Sequence, residues 1–230
     1  MQPLLKNGLS VLGSVAMLLG LGSSGVIAAT VTWGSDYASQ ISTSTGDGVD
    51  SSYTIEMGVF VNGFVPTVDN TTEWAANWRT LDTAEYDPIN GYFTGTFDIQ
   101  SDGSSTGTGA DSGVVFSGMM SYVWVHSNGP EDTYPEWFLA RSGSWVVPDA
   151  PAQDCCDNTL PVQWAISDLG NGDTPVIGAR GNSIGGGVAS EPGNYDLQTY
   201  LVLTVPEPSS LVLSLVSLGL LLRRRRPSHD

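Results

Sequence analysis

The chain of 230 residues carries 24 acidic and 8 basic side chains, a formal charge of −16 at pH 7. The charge is unevenly spread: residues 30–204 hold 22 of the acids and only three bases, Arg79, Arg141 and Arg180, a net of −19, with no lysine at all. A surface of that sign does not neutralise phosphates, which excludes nucleic acid as a partner and docking onto anionic lipid as a mode of action.

In chain order the first element is a leader. Lys6 precedes an apolar stretch, Leu9 to Leu21, and Val26-Ile27-Ala28-Ala29 then offers small residues where a signal peptidase reads them. Residues 1–29 are therefore read as a secretory signal peptide, cut by signal peptidase after Ala28 or Ala29 as the chain meets the export machinery. The apolar run is short for an uncleaved membrane anchor.

Residues 30–204 are expected to form one β-rich extracytoplasmic body. Glycine is 22 of these residues, about 13% against a usual ~7%, which favours turns and short strands over long helices. Tyr53–Asn62 alternates Tyr53, Ile55, Met57, Val59 and Val61 on one face, the clearest half-buried strand. Tyr92–Ile99 puts Phe93, Phe97 and Ile99 on one face with Gly95 between them, and Met119–His126 is apolar on both faces, as a central strand should be. Further strands are expected at Val31–Trp33, Val114–Phe116, Glu136–Ala140, Ser144–Val147, Val162–Ser167, Pro175–Ile177 and Tyr195–Val205. Ten short strands separated by Gly, Pro, Asn and Asp fit a mainly β fold, a single β-sandwich or jelly-roll-like body. One helix is expected within it. Trp74, Trp78 and Leu81 stand at i, i+4 and i+7 and Asn70 caps Glu73, so Asn70–Leu81 reads as a short helix plugging one end. Ser101–Gly113 lacks apolar residues except Ala110 and reads as a mobile hairpin tip.

Candidate chemistry in the body is sparse. Cys155 and Cys156 are the only cysteines, and they are adjacent. A vicinal disulfide, a pair of thiols or mixed oxidation states, and a metal or redox site all remain open, and none of them staples a long loop. Asp168, Asn171 and Asp173 have oxygen atoms at spacing a calcium ion can use, but the terminal bidentate glutamate is missing, and an Asx-rich turn is the preferred reading. No other cofactor is implied. His126 is the body's single histidine and reads as a packed strand residue rather than a catalytic base. No Gly-x-Ser-x-Gly nucleophile elbow occurs, and the acidic pairs are too many to single out a glycosidase dyad, so no catalytic constellation is recognisable. Seven tryptophans either fill the core or, exposed in a row, stack on sugar rings; Trp137 and Trp145 are the ones expected at the surface.

The last 26 residues read Val205-Pro206-Glu207-Pro208-Ser209-Ser210, an apolar run Leu211–Leu222, and then Arg223, Arg224, Arg225 and Arg226. Twelve helical residues span about 18 Å, short of a hydrocarbon core of about 30 Å, so the span draws in Ser209 and Ser210 and snorkelling arginines, giving a transmembrane helix over 209–222. The arginines set the C-terminus in the cytoplasm and the body outside. This order of elements resembles the PEP-CTERM sorting signal of exported bacterial proteins. The resemblance implies an exopolysaccharide-producing bacterium with a Gram-negative-type envelope. It also implies recognition of Pro206, Glu207 and Pro208 by an exosortase, with Arg223–Arg226 as the cytoplasmic stop. Cleavage near the motif and passage from the inner membrane to the cell surface or an extracellular polysaccharide matrix follow from the same likeness. The body in turn is similar to glycine- and tryptophan-rich bodies that precede such tails, through Met57-Gly58-Val59-Phe60, Gly63-Phe64-Val65-Pro66, Trp74-Ala75-Ala76-Asn77-Trp78 and Glu136-Trp137-Phe138-Leu139, from which no activity transfers. The expected function is that of an exported, non-enzymatic surface or matrix protein. The alternative is a secreted carbohydrate-binding module or glycoside hydrolase-like domain, distinguished by two or three exposed coplanar aromatics on one face.

Overall fold

The computed structural model describes residues 28–127, 135–149, 161–170 and 173–202. Thirteen strands are described: β1 (Ala29–Gly34), β2 (Ile41–Ser42), β3 (Tyr53–Phe60), β4 (Trp78–Ala84), β5 (Tyr86–Asp87), β6 (Tyr92–Ile99), β7 (Ser121–Ser127), β8 (Glu136–Ala140), β9 (Val162–Ala165), β10 (Ala179–Arg180), β11 (Ser183–Ile184), β12 (Leu197–Gln198) and β13 (Tyr200–Leu201). A four-stranded sheet runs β5-β6-β1-β9 and a five-stranded sheet runs β13-β8-β7-β3-β4. A small third sheet, β11-β10-β12-β2, is made of two-residue strands.

The two larger sheets share one hydrophobic cluster, which follows from the period-two patterning of their strands. Val31 and Trp33 of β1, Phe93, Phe97 and Ile99 of β6, and Trp164 of β9 supply one side. Ile55, Met57 and Val59 of β3, Val123 and Val125 of β7, and Phe138 and Ala140 of β8 supply the other. Each fully buried Val, Ile or Phe side chain of this kind contributes about 1.5–3 kcal/mol relative to exposure. β7 lies between β3 and β8, as its two apolar faces require.

The outer face of the five-stranded sheet is apolar too, and it carries its own cluster: Phe60, Trp74, Trp78, Tyr122, Trp124, Leu139 and Tyr200 with their neighbours. Its cover comes from a 3-10 turn, Val68–Glu73, running into a single-turn helix α1, Trp74–Asn77. The expected helix Asn70–Leu81 is thus corrected. Trp78–Leu81 is the beginning of β4, and the helical turn lies over a sheet face. Trp74 and Trp78 still meet in one cluster because α1 folds back over the strand that follows it, so a helical spacing is satisfied without a continuous helix. Gly58 makes this possible, since a Cβ there would meet the Trp78 ring and the Arg79 carbonyl within 2.5 Å.

Six other expectations change, among them the strand Tyr195–Val205, which is split into β12 and β13 in different sheets. Val114–Phe116 is irregular, and Ser144–Val147 contributes only a single bridge, Met120 to Val146. Ile177 joins by isolated bridges to Leu139 and Gly186. β9 stops at Ala165, where Ile166–Asp168 makes a 3-10 turn. The segment Ser101–Gly113 is held along β4: the Asp111 amide donates to the Thr80 carbonyl (3.0 Å), the Thr80 amide to Asp111 Oδ2 (2.8 Å), and the Thr108 amide to Asp82 Oδ1 (2.7 Å). An outermost strand is thereby covered rather than left open for pairing with another chain. Among the described residues no helix is long and apolar enough to cross a membrane; Leu211–Leu222 lies outside them.

Candidate functional site

Six tryptophans are buried. Trp145, expected at the surface, is 1% exposed and donates from Nε1 to Asp168 Oδ2 at 3.2 Å. Trp137 is half-buried and stacks on Trp74, ring centroids 5.2 Å apart and planes 27° apart. The tryptophans therefore build core, and no row of them forms a sugar-stacking platform among the described residues.

His126 stands on the outer face of β7, where the register sets it opposite Trp137 of β8 and Thr54 of β3. Its ring packs on Trp124 at 4.8 Å, and Nε2 lies 3.6 Å from Glu56 Oε2. Glu56 Oε2 also accepts from Trp78 Nε1 (2.9 Å) and Oε1 from Thr80 Oγ1 (3.3 Å). Both side chains keep about a fifth of their surface in contact with solvent. The carboxylate is engaged by Trp78 and Thr80, and His126 is a packed strand residue against Trp124.

Glu136 is the most heavily hydrogen-bonded carboxylate described. It accepts from the Ser44 amide (2.9 Å) and hydroxyl (2.6 Å), from Tyr53 Oη (2.9 Å) and from Thr199 Oγ1 (2.8 Å). Burial alone would raise its pKa, but these donors outweigh it and hold the carboxyl below its ordinary range. Burial and the adjacent carboxylate together push the Tyr53 hydroxyl up, so it stays a donor. The arrangement ties the Ser44 turn to β8 and the segment leading to β13. Sequence reasoning missed it, because its partners lie 92, 83 and 63 residues away along the chain.

The calcium candidates are engaged locally. Asp168 Oδ2 also accepts from the Ala165 amide (2.8 Å), and Asp173 Oδ2 from the Gly170 amide (3.2 Å), the bonding of ordinary turns. Asn171, Cys155, Cys156, residues 1–27 and the whole tail from Val205, with Pro206, Glu207, Pro208 and Arg223–Arg226, lie outside the described residues. Among the described residues no group of three His, Cys, Asp or Glu side chains is close enough to hold a metal.

The concave feature that sequence reasoning missed is an open cleft of about 410 Å³ between the segment following β1, the turn after β2, the β5–β6 hairpin and Tyr195. Its walls are fastened by backbone and side-chain hydrogen bonds. The Ala38 amide donates to the Asn90 carbonyl (3.2 Å), and Tyr86 Oη donates to the Ser39 carbonyl (3.1 Å). Asp87 Oδ1 accepts from the amides of Ile89 (2.9 Å) and Asn90 (3.1 Å), while its Oδ2 accepts from Asn90 Nδ2 (2.7 Å). Gly91 sits at φ 65°, with Ala38 Cα only 3.2 Å from where its Cβ would be, so the two loops close up only with glycine there. On these fixed turns Ile89 is 92% and Tyr37 75% exposed, and the Tyr37 ring lies 6.2 Å from Tyr92, planes tilted by 35°. Comparison of the chain with protein-family models, with curated proteins and with solved structures finds no match.

Proposed function

We propose that this chain is an exported cell-surface or extracellular-matrix protein, a β-sandwich body with a structural or adhesive role, delivered by a PEP-CTERM tail. The observation that carries the reading is the ordered trio of Pro206-Glu207-Pro208, the apolar run Leu211–Leu222 and Arg223–Arg226. Two prolines keep a recognition segment out of helix, which a processing enzyme at the membrane face requires and a plain anchor does not. In this reading the tail holds the protein transiently in the inner membrane, an exosortase releases it, and the acidic body joins the surface or its polysaccharide.

The test is the state of the tail. Mass spectrometry of protein recovered from the surface of an exosortase-bearing host should show a chain ending near Pro206–Pro208. Replacing Pro206-Glu207-Pro208 by alanines should leave the tail attached and the protein in the inner membrane. Surface protein that retains Leu211–Leu222 would overturn the reading.

A further inference from the structure

We propose that the cleft beside Tyr37 and Tyr92 binds a neutral saccharide chain. The inference rests on the adhesive reading and gives it a site and a ligand class. Tyr37 immediately precedes Ala38, and Tyr92 immediately follows Gly91, the two residues at which the cleft's loops touch. The Tyr37 and Tyr92 rings, 6.2 Å apart, thus stand beside the cleft rather than in its lining, where large amphipathic rings provide apolar contact and a hydroxyl in one side chain. Inside the cleft, Tyr86 and Tyr195 lie among polar groups of Ser39, Gln40 and Asn90, a mixture suited to the alternating C–H and O–H faces of a sugar.

Three further observations narrow the ligand. Ile89, almost wholly exposed, is held out by a turn whose amides are bonded to Asp87, and a rigid exposed apolar side chain lowers the ordering cost of binding. The lining contains no lysine, arginine or histidine, so no residue is placed to meet a uronate or a phosphate. The Asp87 and Asp196 carboxylates border the cleft through their bonds to Ile89 and Gln40, within a body of net charge −19, and they repel an anionic chain. An anionic chain is thereby disfavoured, and the mixture of tyrosine rings with uncharged polar groups in the lining is what points to an uncharged sugar. Because the cleft is open, it suits the interior of a polysaccharide as well as a chain end.

The experiment uses the purified full-length protein on an array of neutral and uronate-containing oligosaccharides, with Tyr37→Ala, Tyr92→Ala and Ile89→Ser as variants. The expected result is binding to at least one neutral chain and none to uronates. Each variant should weaken that binding about tenfold, the equivalent of 1.4 kcal/mol, with its unfolding midpoint unchanged. Tyr37 and Ile89 are exposed enough that their replacement leaves the fold intact, which keeps the test clean if Tyr92→Ala unfolds. Absence of binding to every neutral chain, a preference for uronates, or neutral binding indifferent to Tyr37→Ala and Ile89→Ser would overturn the proposal. Localisation of the same variants separates it from the delivery reading: normal export with no sugar binding sinks the cleft alone, and an intact tail on surface protein sinks the delivery.

Discussion

A carboxylate that accepts four hydrogen bonds in a half-buried position stabilises the fold only while it is charged. Glu136 is in that position, and its folded pKa lies below that of an unfolded glutamate, about 4.3. Its contribution is present above the unfolded value and is lost as pH falls through the folded one. Asp82 has the opposite sign. It is 1% exposed, burial raises its pKa, and the bonds from Trp33 Nε1 (2.7 Å) and the Thr108 amide only partly offset that. Its contribution is greatest below the ordinary aspartate value and declines as pH rises through the raised one, so the two residues partly mask each other. Comparing Glu136→Gln with the parent isolates one of them. The variant should be less stable at neutral pH and should lose less stability below about pH 4.3. Equal acid-side slopes in the two proteins would show that Glu136 carries no such load.

At the scale of elements, the strands with strict alternation were legible and those that depend on tertiary bonds were not. Tyr53–Asn62, Tyr92–Ile99 and Glu136–Ala140 correspond to β3, β6 and β8 because their apolar faces fill one core. β4 was hidden. Trp74, Trp78 and Leu81 keep a helical spacing, yet a one-turn helix followed by a strand buries all three. Three residues apart on a strand, Leu81 turns to the inner core while Trp78 stays outside, and the bulge opposite Met57 and Gly58 leaves Leu81 as the extra residue, so that Asp82 is buried beside it. β2, β10 and β11 are two residues long and have no period to detect. The segment Ser101–Gly113 looked mobile because its composition is that of a linker, but its carboxylate and amides are used on β4. Asp111→Ala is therefore expected to cost about 0.5–1.5 kcal/mol and to speed hydrogen exchange at the Thr80 amide. Protection of Thr80 equal to the parent's would show the segment to be loosely held. The cleft escaped notice for a related reason. Its lining tyrosines, Tyr86 and Tyr195, are far apart along the chain, and the Ala38–Asn90 and Tyr86–Ser39 bonds with the close approach at Gly91 bring the loops together.

For the molecule as a whole, the sequence made the charge plain but not how it is carried. Among the described residues no arginine pairs with a carboxylate. Arg79 donates to the carbonyls of Ala76 and Trp78, and Arg141 lies over the Tyr122 ring at 5.5 Å. Among the described residues the one close pair of acid and base is His126 with Glu56. The acids instead serve as turn acceptors. Asp50, Asp87 and Asp102 accept from side chains and amides two or three residues ahead, and those bonds hold their carboxyls below the usual range. These three carboxylates are thus satisfied locally while the repulsion among all the acids opposes compaction. Screening should relieve that repulsion, since the Debye length falls from about 30 Å at 0.01 M salt to about 8 Å at 0.15 M. The unfolding midpoint is therefore expected to rise with sodium chloride over this range, and a flat response would mean that the charges are too dispersed to matter. Calcium supplies the sharper comparison. Asp168 and Asp173 spend acceptor oxygens on Trp145, Ala165 and Gly170, so calcium chloride at matched ionic strength should raise the midpoint by no more than sodium chloride does. A larger shift, abolished by Asp168→Asn and Asp173→Asn together, would instead establish that segment as a calcium site.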